Sequence, residues 1–306
     1  VSAPASPRHF LDVTDLSRAA LDEVLVLAAR PAASLGRPLA DVGVALVFEK
    51  PSTRTRHSME MAVVQLGGHP IFTRAEEVGF DDRETVEDIT RIMCGYHGVL
   101  AARVFDHGVL ARMATVASVP VVNMLSDRSH PLQALADVLT MRAELGPLAG
   151  RTVAWVGDWN NVARSLAEAC ALEGMAIRVG SPVGYGPTAA EVARIAALGA
   201  ASVTAVDTAV EAARGAVAVH TDVFVSMGQE AESSERLRRF ADHRVTERVM
   251  AAADPAAIFM HCLPAHRGVE VDAAVIDGPR SRVVPQAHHR MHAARGLLAH
   301  LVGVRP

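Results

Sequence analysis

Aromatic residues and cysteines are scarce in this chain. Two Trp, two Tyr and eight Phe among 306 residues leave few rings to stack on bases, and the formal charge of -4 comes with scattered basic residues. No nucleic-acid partner is expected. The three cysteines, Cys94, Cys170 and Cys262, include no C-x-x-C or comparable close pair, and an odd number cannot all pair within one chain. A reducing cytoplasm fits that usage best. No apolar stretch is long enough to span a bilayer, and the opening VSAPASPRHFLDVTDLS has no apolar signal core, so neither membrane insertion nor secretion is expected. There is no internal repeat, low-complexity tract or long Pro/Gly/Ser linker.

What the chain does have is hydrophobic mass. Half of its residues are hydrophobic, enough to bury a sizeable core in two modest domains. Short Val- and Ile-rich runs at 44–48, 99–102, 119–122, 152–156, 176–179, 216–220 and 257–260 alternate with stretches of helical spacing, the pattern of parallel α/β layers. Met59, Ala62, Val63 and Leu66 fall at i, i+3, i+4 and i+7, and Gly67-Gly68 gives a stop. The run 134–145 reads as a connecting helix before a fresh strand at Thr152, and 286–302 is helical again. The expected fold is α/β: two doubly wound parallel-sheet domains joined by interdomain helices, with domains at 1–130 and 131–285 and a C-terminal helix at 286–306.

Four segments carry chemistry. Ser52-Thr53-Arg54-Thr55-Arg56 follows a strand and opens a helix, combining exposed N–H groups, hydroxyls and guanidinium groups at a positive helix end, which is a phosphate site in physical terms. A capped helix with two solvated arginines is the plainer alternative. Neighbouring helical residues point in different directions, so Arg56 is expected to be structural. His130-Pro131-Leu132-Gln133 opens another helix; His donates to a developing oxyanion, and Gln offers donor and acceptor to an amide-like group. Asp222 and Ser226, in Asp222-Val223-Phe224-Val225-Ser226-Met227-Gly228, form a loop able to hold an ammonium group, or merely a capped turn. His261-Cys262-Leu263-Pro264 ends a strand, where parallel sheets commonly present functional groups. Its thiol can equally be a small buried hydrophobe.

Across nearly the whole chain these segments, in this order, resemble the aspartate/ornithine carbamoyltransferase family. STRTR and HPLQ resemble the carbamoyl phosphate half shared by all members, DVFVSMG and HCLP the ornithine branch, and Gly157-Asp158-Trp159-Asn160-Asn161 the family's GD-x-NN segment. The resemblance implies transfer of a carbamoyl group from carbamoyl phosphate to the side-chain amine of ornithine. It implies phosphate binding by Ser52, Thr53, Arg54, Thr55 and Arg103, and carbonyl polarisation by His130 and Arg290. Gln133 would orient the carbamoyl nitrogen. Leu125, through its backbone, with Asn161, Asp222, Ser226 and Met227, would hold ornithine, and Cys262 with Leu263 would lie beside the reacting amine. It also implies a homotrimer or an assembly of trimers. No NAD is expected, since G-x-G-x-x-G is missing, no other cofactor is implied, and no metal is expected, since His288, His289 and His292 lack the H-E-x-x-H arrangement and read as a helical surface.

The sequence departs from the family's pattern in three places. In segment 73–85 the family's phosphate donor is replaced by Gly79 among Glu76, Glu77, Asp81 and Asp82, acids that would repel phosphate unless they face solvent or pair with Arg74 or Arg83. His288-His289 stands for Glu-Asn, and His57 for an aromatic residue. Two further readings are therefore a carbamoyltransferase for another amine or diamino acid, and a weakly active or inactive ligand-binding paralogue.

Overall fold

The computed structural model describes residues 8–199, 202–226 and 229–306. They fall into two compact units, one of residues up to Leu139 together with Arg290–Pro306, the other Thr140–His289. Where the sequence suggests changes at 130/131 and 285/286, the units change at 139/140 and 289/290, inside the helices Pro131–Leu145 and Val283–Leu301. Helical spacing continues through both cuts, so periodicity carries no mark of them.

In the first unit β1 (Gly43–Phe48), β2 (His69–Arg74), β3 (Val99–Arg103) and β4 (Val121–Leu125) pair in parallel in the order β2-β1-β3-β4. In the second, β5 (Thr152–Val156), β6 (Ala176–Gly180), β7 (Val203–Val206), β8 (Ala218–Thr221) and β9 (Ile258–His261) form a parallel sheet in the order β7-β6-β5-β8-β9. β3 and β4 are buried along their whole length, as a strand covered on both faces must be. β2 and β7 are edge strands with exposed positions, which is why neither stands out as an apolar run. β4 begins just after Pro120 rather than at 119.

The first unit's core packs Ala45, Val47, Leu100, Ala102, Leu110 and Met113; the second gathers Val156, Val219, Val249, Phe259 and Val271. Parallel strands bring the segments that follow β1, β3 and β4 to one end of their sheet, and those that follow β5, β8 and β9 to one end of theirs.

The last helix is tied into the first unit over its C-terminal part. Gly296 lies so close to the helix Arg18–Ala29 that a Cβ would fall 2.6 Å from both Ala28 N and Val24 O. Next to it, the Arg295 guanidinium donates to the carbonyls of Ala28 (3.1 Å) and Arg30 (2.6 Å) at that helix's end, and to Gln65 Oε1 (2.7 Å). These contacts fix the helix that carries Arg290.

Candidate active site

In the first unit the chemistry gathers around Thr55. Ser52 caps the helix Thr53–Gln65, its Oγ accepting from Thr55 N (3.4 Å) and donating to Thr55 Oγ1 (3.1 Å). Thr55 is 2% exposed. Its Oγ1 also accepts from Arg103 Nη1 (3.1 Å), which arrives from the end of β3, and from Arg290 Nη2 (3.4 Å). One hydroxyl thus draws two guanidinium groups to the positive end of a helix, the arrangement that binds a dianion. Arg54 is half-buried. Arg56 is engaged by other groups, its Nε on Glu60 (2.8 Å) and its guanidinium 3.8 Å from the centre of the Phe72 ring.

Arg290 Nη1 donates to Gln133 Oε1 (2.6 Å) and meets His130 Nε2 (3.4 Å). Burial, and then the charges of Arg290, Arg103 and Arg54, push the His130 pKa well below its ordinary value, so the ring is neutral at physiological pH. A guanidinium only donates; His130 Nε2 therefore accepts, and the ring proton sits on Nδ1. Leu125 closes β4, where its carbonyl accepts the Val104 N–H (3.0 Å).

In segment 73–85 the paired acid meets neither Arg74 nor Arg83. Asp81 pairs with Arg112 (2.6 Å), which also holds Glu87 (2.6 Å), and hydrogen bonds from Arg112 lower the pKa of both acids. Arg83 donates to the Glu77 carbonyl and covers Gly79, which has φ +60°. Arg74 lines a cavity of about 530 Å³ together with Ser52, Thr53 and Arg56, and with the acids Glu49, Glu60 and Glu76.

In the second unit Asp222 is the centre. It is 8% exposed; Oδ1 accepts from Cys262 Sγ (3.1 Å) and Oδ2 from Asn160 Nδ2 (2.8 Å), leaving a lone pair on each oxygen. Asn160 also caps the helix Asn161–Leu172, its Oδ1 accepting from Val162 N and Ala163 N (both 3.0 Å). Of the two adjacent asparagines, Asn160 is thus the one joined to Asp222, and Asn161 is the first residue of the helix. A buried guanidinium braces the neighbouring loop: Arg236 binds Asp158 and donates to the Phe224 carbonyl (2.7 Å). Burial still holds the Asp158 pKa above its ordinary value, although Arg236 opposes it. Ser226 N donates to Gln229 Oε1 (2.9 Å); Met227 lies outside the described residues.

The turn after β9 is held from behind. His261 N donates to Gln286 Oε1 (2.9 Å), and His261 Nδ1 accepts from Leu263 N (2.9 Å), which leaves Nε2 to donate to buried Glu270 (3.3 Å). Leu263 has φ +59°, in the left-handed region, and precedes a cis proline. Burial would raise the Glu270 carboxyl, but hydrogen bonds from His261 and from His266 N hold its pKa below the ordinary value. Asp222, His261 and Cys262 present donor atoms within 4.8 Å of one another. Both His261 nitrogens are already engaged and the Cys262 thiol is bonded to Asp222, so the trio fits a hydrogen-bond network better than a metal site. His289, in the late histidine cluster, bonds Thr140 through Nδ1 (2.8 Å) rather than forming only a surface.

Two family models match the chain: the carbamoyl-P binding domain of aspartate/ornithine carbamoyltransferase over residues 8–143, and its Asp/Orn binding domain over 149–301. An ornithine carbamoyltransferase of Parafrankia sp. is 46% identical over 304 residues, covering 96% of each chain, and one of Thermus thermophilus is 44% identical with 97% of each covered. Among solved structures, ornithine carbamoyltransferase from Thermus thermophilus superposes with a TM-score of 0.88 at 41% identity, covering 97% of this chain and 99% of that one. The enzyme from Pyrococcus furiosus reaches 0.90 at 38% identity, with 97% of each covered. With both halves matched end to end and the phosphate and amine segments built as described, this chain belongs to the aspartate/ornithine carbamoyltransferase family.

Proposed function

We propose that the protein transfers the carbamoyl group of carbamoyl phosphate to the side-chain amine of L-ornithine, giving L-citrulline and phosphate. The observation that carries the choice of acceptor is the Asp222 carboxylate with Cys262 on one oxygen and Asn160 on the other. A carboxylate so placed attracts an alkylammonium group and repels the side chain of an aspartate acceptor.

The phosphate sits among Ser52, Thr53, Arg54, Thr55 and Arg103, and Arg290 and His130 polarise the carbonyl, with Gln133 on the carbamoyl nitrogen. His130 acts as a neutral hydrogen-bonding group rather than an acid, since its burial among arginines keeps it unprotonated. Asn161, Asp222, Ser226, Met227 and the Leu125 carbonyl hold the amino acid, and Cys262 and Leu263 lie at its reacting end. An alkylammonium of pKa about 10.4 must lose a proton to solvent before it attacks. The neutral amine then forms the C–N bond, the tetrahedral carbon expels phosphate as the C–O bond breaks, and the departing phosphate takes the amine proton. Cys262 donates its hydrogen to Asp222 and forms no bond to carbon. The same reading places the reaction in arginine biosynthesis, in the cytoplasm and in a trimer or assembly of trimers, all of which rest on the resemblance to the family. No described helix is long and apolar enough to cross a membrane.

Steady-state kinetics test this. Asp222→Asn, which removes the charge facing the ammonium, is expected to raise KM for ornithine by roughly 10- to 100-fold while KM for carbamoyl phosphate changes little. Cys262→Ser is expected to retain turnover at a reduced rate. A carbamoylated Cys262 found by mass spectrometry, or an unchanged ornithine KM in Asp222→Asn, refutes the mechanism or the acceptor site respectively.

A further inference from the structure

Gln133 has a side chain whose two ends differ chemically but not in shape. If it reads the carbamoyl NH2 of the substrate, as proposed above, its carbonyl oxygen must face the ligand, because only that end accepts a hydrogen bond. Nothing in the shape of an amide enforces this orientation. The enforcement has to come from its neighbours.

One neighbour is Arg290, whose Nη1 donates to Gln133 Oε1 at 2.6 Å. The other lies one helical turn further on: Gln133 Nε2 donates to Asp137 Oδ1 at 2.7 Å. Asp137 is 0% exposed and Gln133 1%. Both stand on the helix Pro131–Leu145, at i and i+4, so their side chains share a face. A buried carboxylate is costly and is kept only where it is well bonded. This one lies behind the proposed carbamoyl contact.

We infer that Asp137 is a positioning residue that fixes the direction of the Gln133 amide and so sets the preference for a carbamoyl over an acetyl donor. The carboxylate accepts only and the guanidinium donates only. Between them the amide has one stable orientation, NH2 toward Asp137 and C=O toward Arg290. Turning it over would set two acceptors against each other at one end and two donors at the other, between side chains buried from solvent. The chain from carboxylate through amide to guanidinium also polarises the amide, making Oε1 a stronger acceptor. Its second lone pair is left for the carbamoyl N–H.

Acetyl phosphate tests this directly, because it replaces the carbamoyl NH2 with a methyl group of similar size and keeps the phosphate and carbonyl. Dissociation constants for carbamoyl phosphate and acetyl phosphate are measured by calorimetry on the full chain, and their ratio is compared between variants. Native protein is expected to favour carbamoyl phosphate about tenfold, the worth of one buried hydrogen bond. Gln133→Leu is expected to bring the ratio to about one, and Asp137→Leu, which leaves Arg290 alone to orient the amide, to bring it to about threefold. Asp137→Asn keeps shape and folding but can donate as well as accept, so it no longer dictates a direction; its ratio is expected near threefold, roughly a fraction of a hydrogen bond. A general structural defect would weaken both ligands equally and leave the ratio intact. If Gln133→Leu keeps the native ratio, the assignment of Gln133 to the carbamoyl nitrogen is overturned and the inference with it. If Gln133→Leu loses the ratio while Asp137→Leu, or Asp137→Asn should the leucine variant not fold, retains it in full, the role of Asp137 alone is overturned.

Discussion

His130 is held neutral by its surroundings, and that has a consequence for pH. Its folded pKa lies below the ordinary 6.5 through burial and the nearby arginine charges. Above pH 6.5 neither the folded nor the unfolded form binds a proton there, so the site costs nothing. As pH falls below 6.5 the unfolded chain takes up the proton and the folded one does not, so stability drains away until the folded pKa is reached. His107, His243 and His289 are shifted the same way, each first by burial. Melting temperature is therefore expected to fall steadily between about pH 6.5 and 5, and His130→Gln to make that fall shallower; an equal slope in the variant would show that His130 is not among the groups responsible. At the same scale, the segments STRTR, HPLQ and HCLP are legible in the sequence because each crowds several reactive side chains into a few positions. Asn160 and Asp137 are not. An Asn before a helix looks like any N-cap, and an Asp inside an apolar helix gives no hint that its partner is a glutamine four residues back.

At the scale of the element, the close approach of Gly296 to the first helix matters most. Gly296→Ala would press a methyl against backbone atoms that cannot rotate away, so the helix carrying Arg290 must shift. A loss of about 1–3 kcal/mol is expected, typical of overpacking, read as a lower melting temperature together with a raised KM for carbamoyl phosphate. A variant with native stability would mean that the two helices separate at little cost. Strand legibility follows coverage. β1, β3, β4, β5 and β9 are buried over most or all of their length and read as apolar runs, the edge strands β4 and β9 included, whereas β2 and β7, at the opposite edges, expose some of their residues. The loop after β2 shows the other limit of the sequence: its acids invite pairing with the nearest arginines, but the partner of Asp81 is Arg112, on another helix far along the chain. Which cation meets which acid is decided by tertiary packing.

For the whole molecule, the proposed mechanism draws most of its carbamoyl phosphate residues from one unit and most of its ornithine residues from the other, each unit with its own sheet and core. Ligand binding stabilises whatever it binds by mass action, by about 2.7 kcal/mol at roughly 100 times Kd. Hydrogen exchange is therefore expected to separate the halves. Carbamoyl phosphate alone slows exchange at the starts of the helices Thr53–Gln65 and Pro131–Leu145 and around Arg290, and ornithine added afterwards slows it around Asp222 and Cys262. Protection by carbamoyl phosphate at Asp222 with none at Thr55 would reverse the assignment of the units. The parallel α/β class and the division in two are readable from alternation and length. The exact cuts are not, because both fall inside unbroken helices.

Asn160 answers to two masters with one side chain: its oxygen closes the start of a helix and its nitrogen bonds Asp222. Helix capping by itself would accept Ser, Thr, Asp or Asn almost interchangeably. Asp would cap as well but would set a second negative charge against Asp222, while Ser and Thr are too short to serve both ends. A position that looks fourfold degenerate by the rules of local structure thus admits a single letter once the neighbouring carboxylate is counted, and chemistry rather than folding writes it.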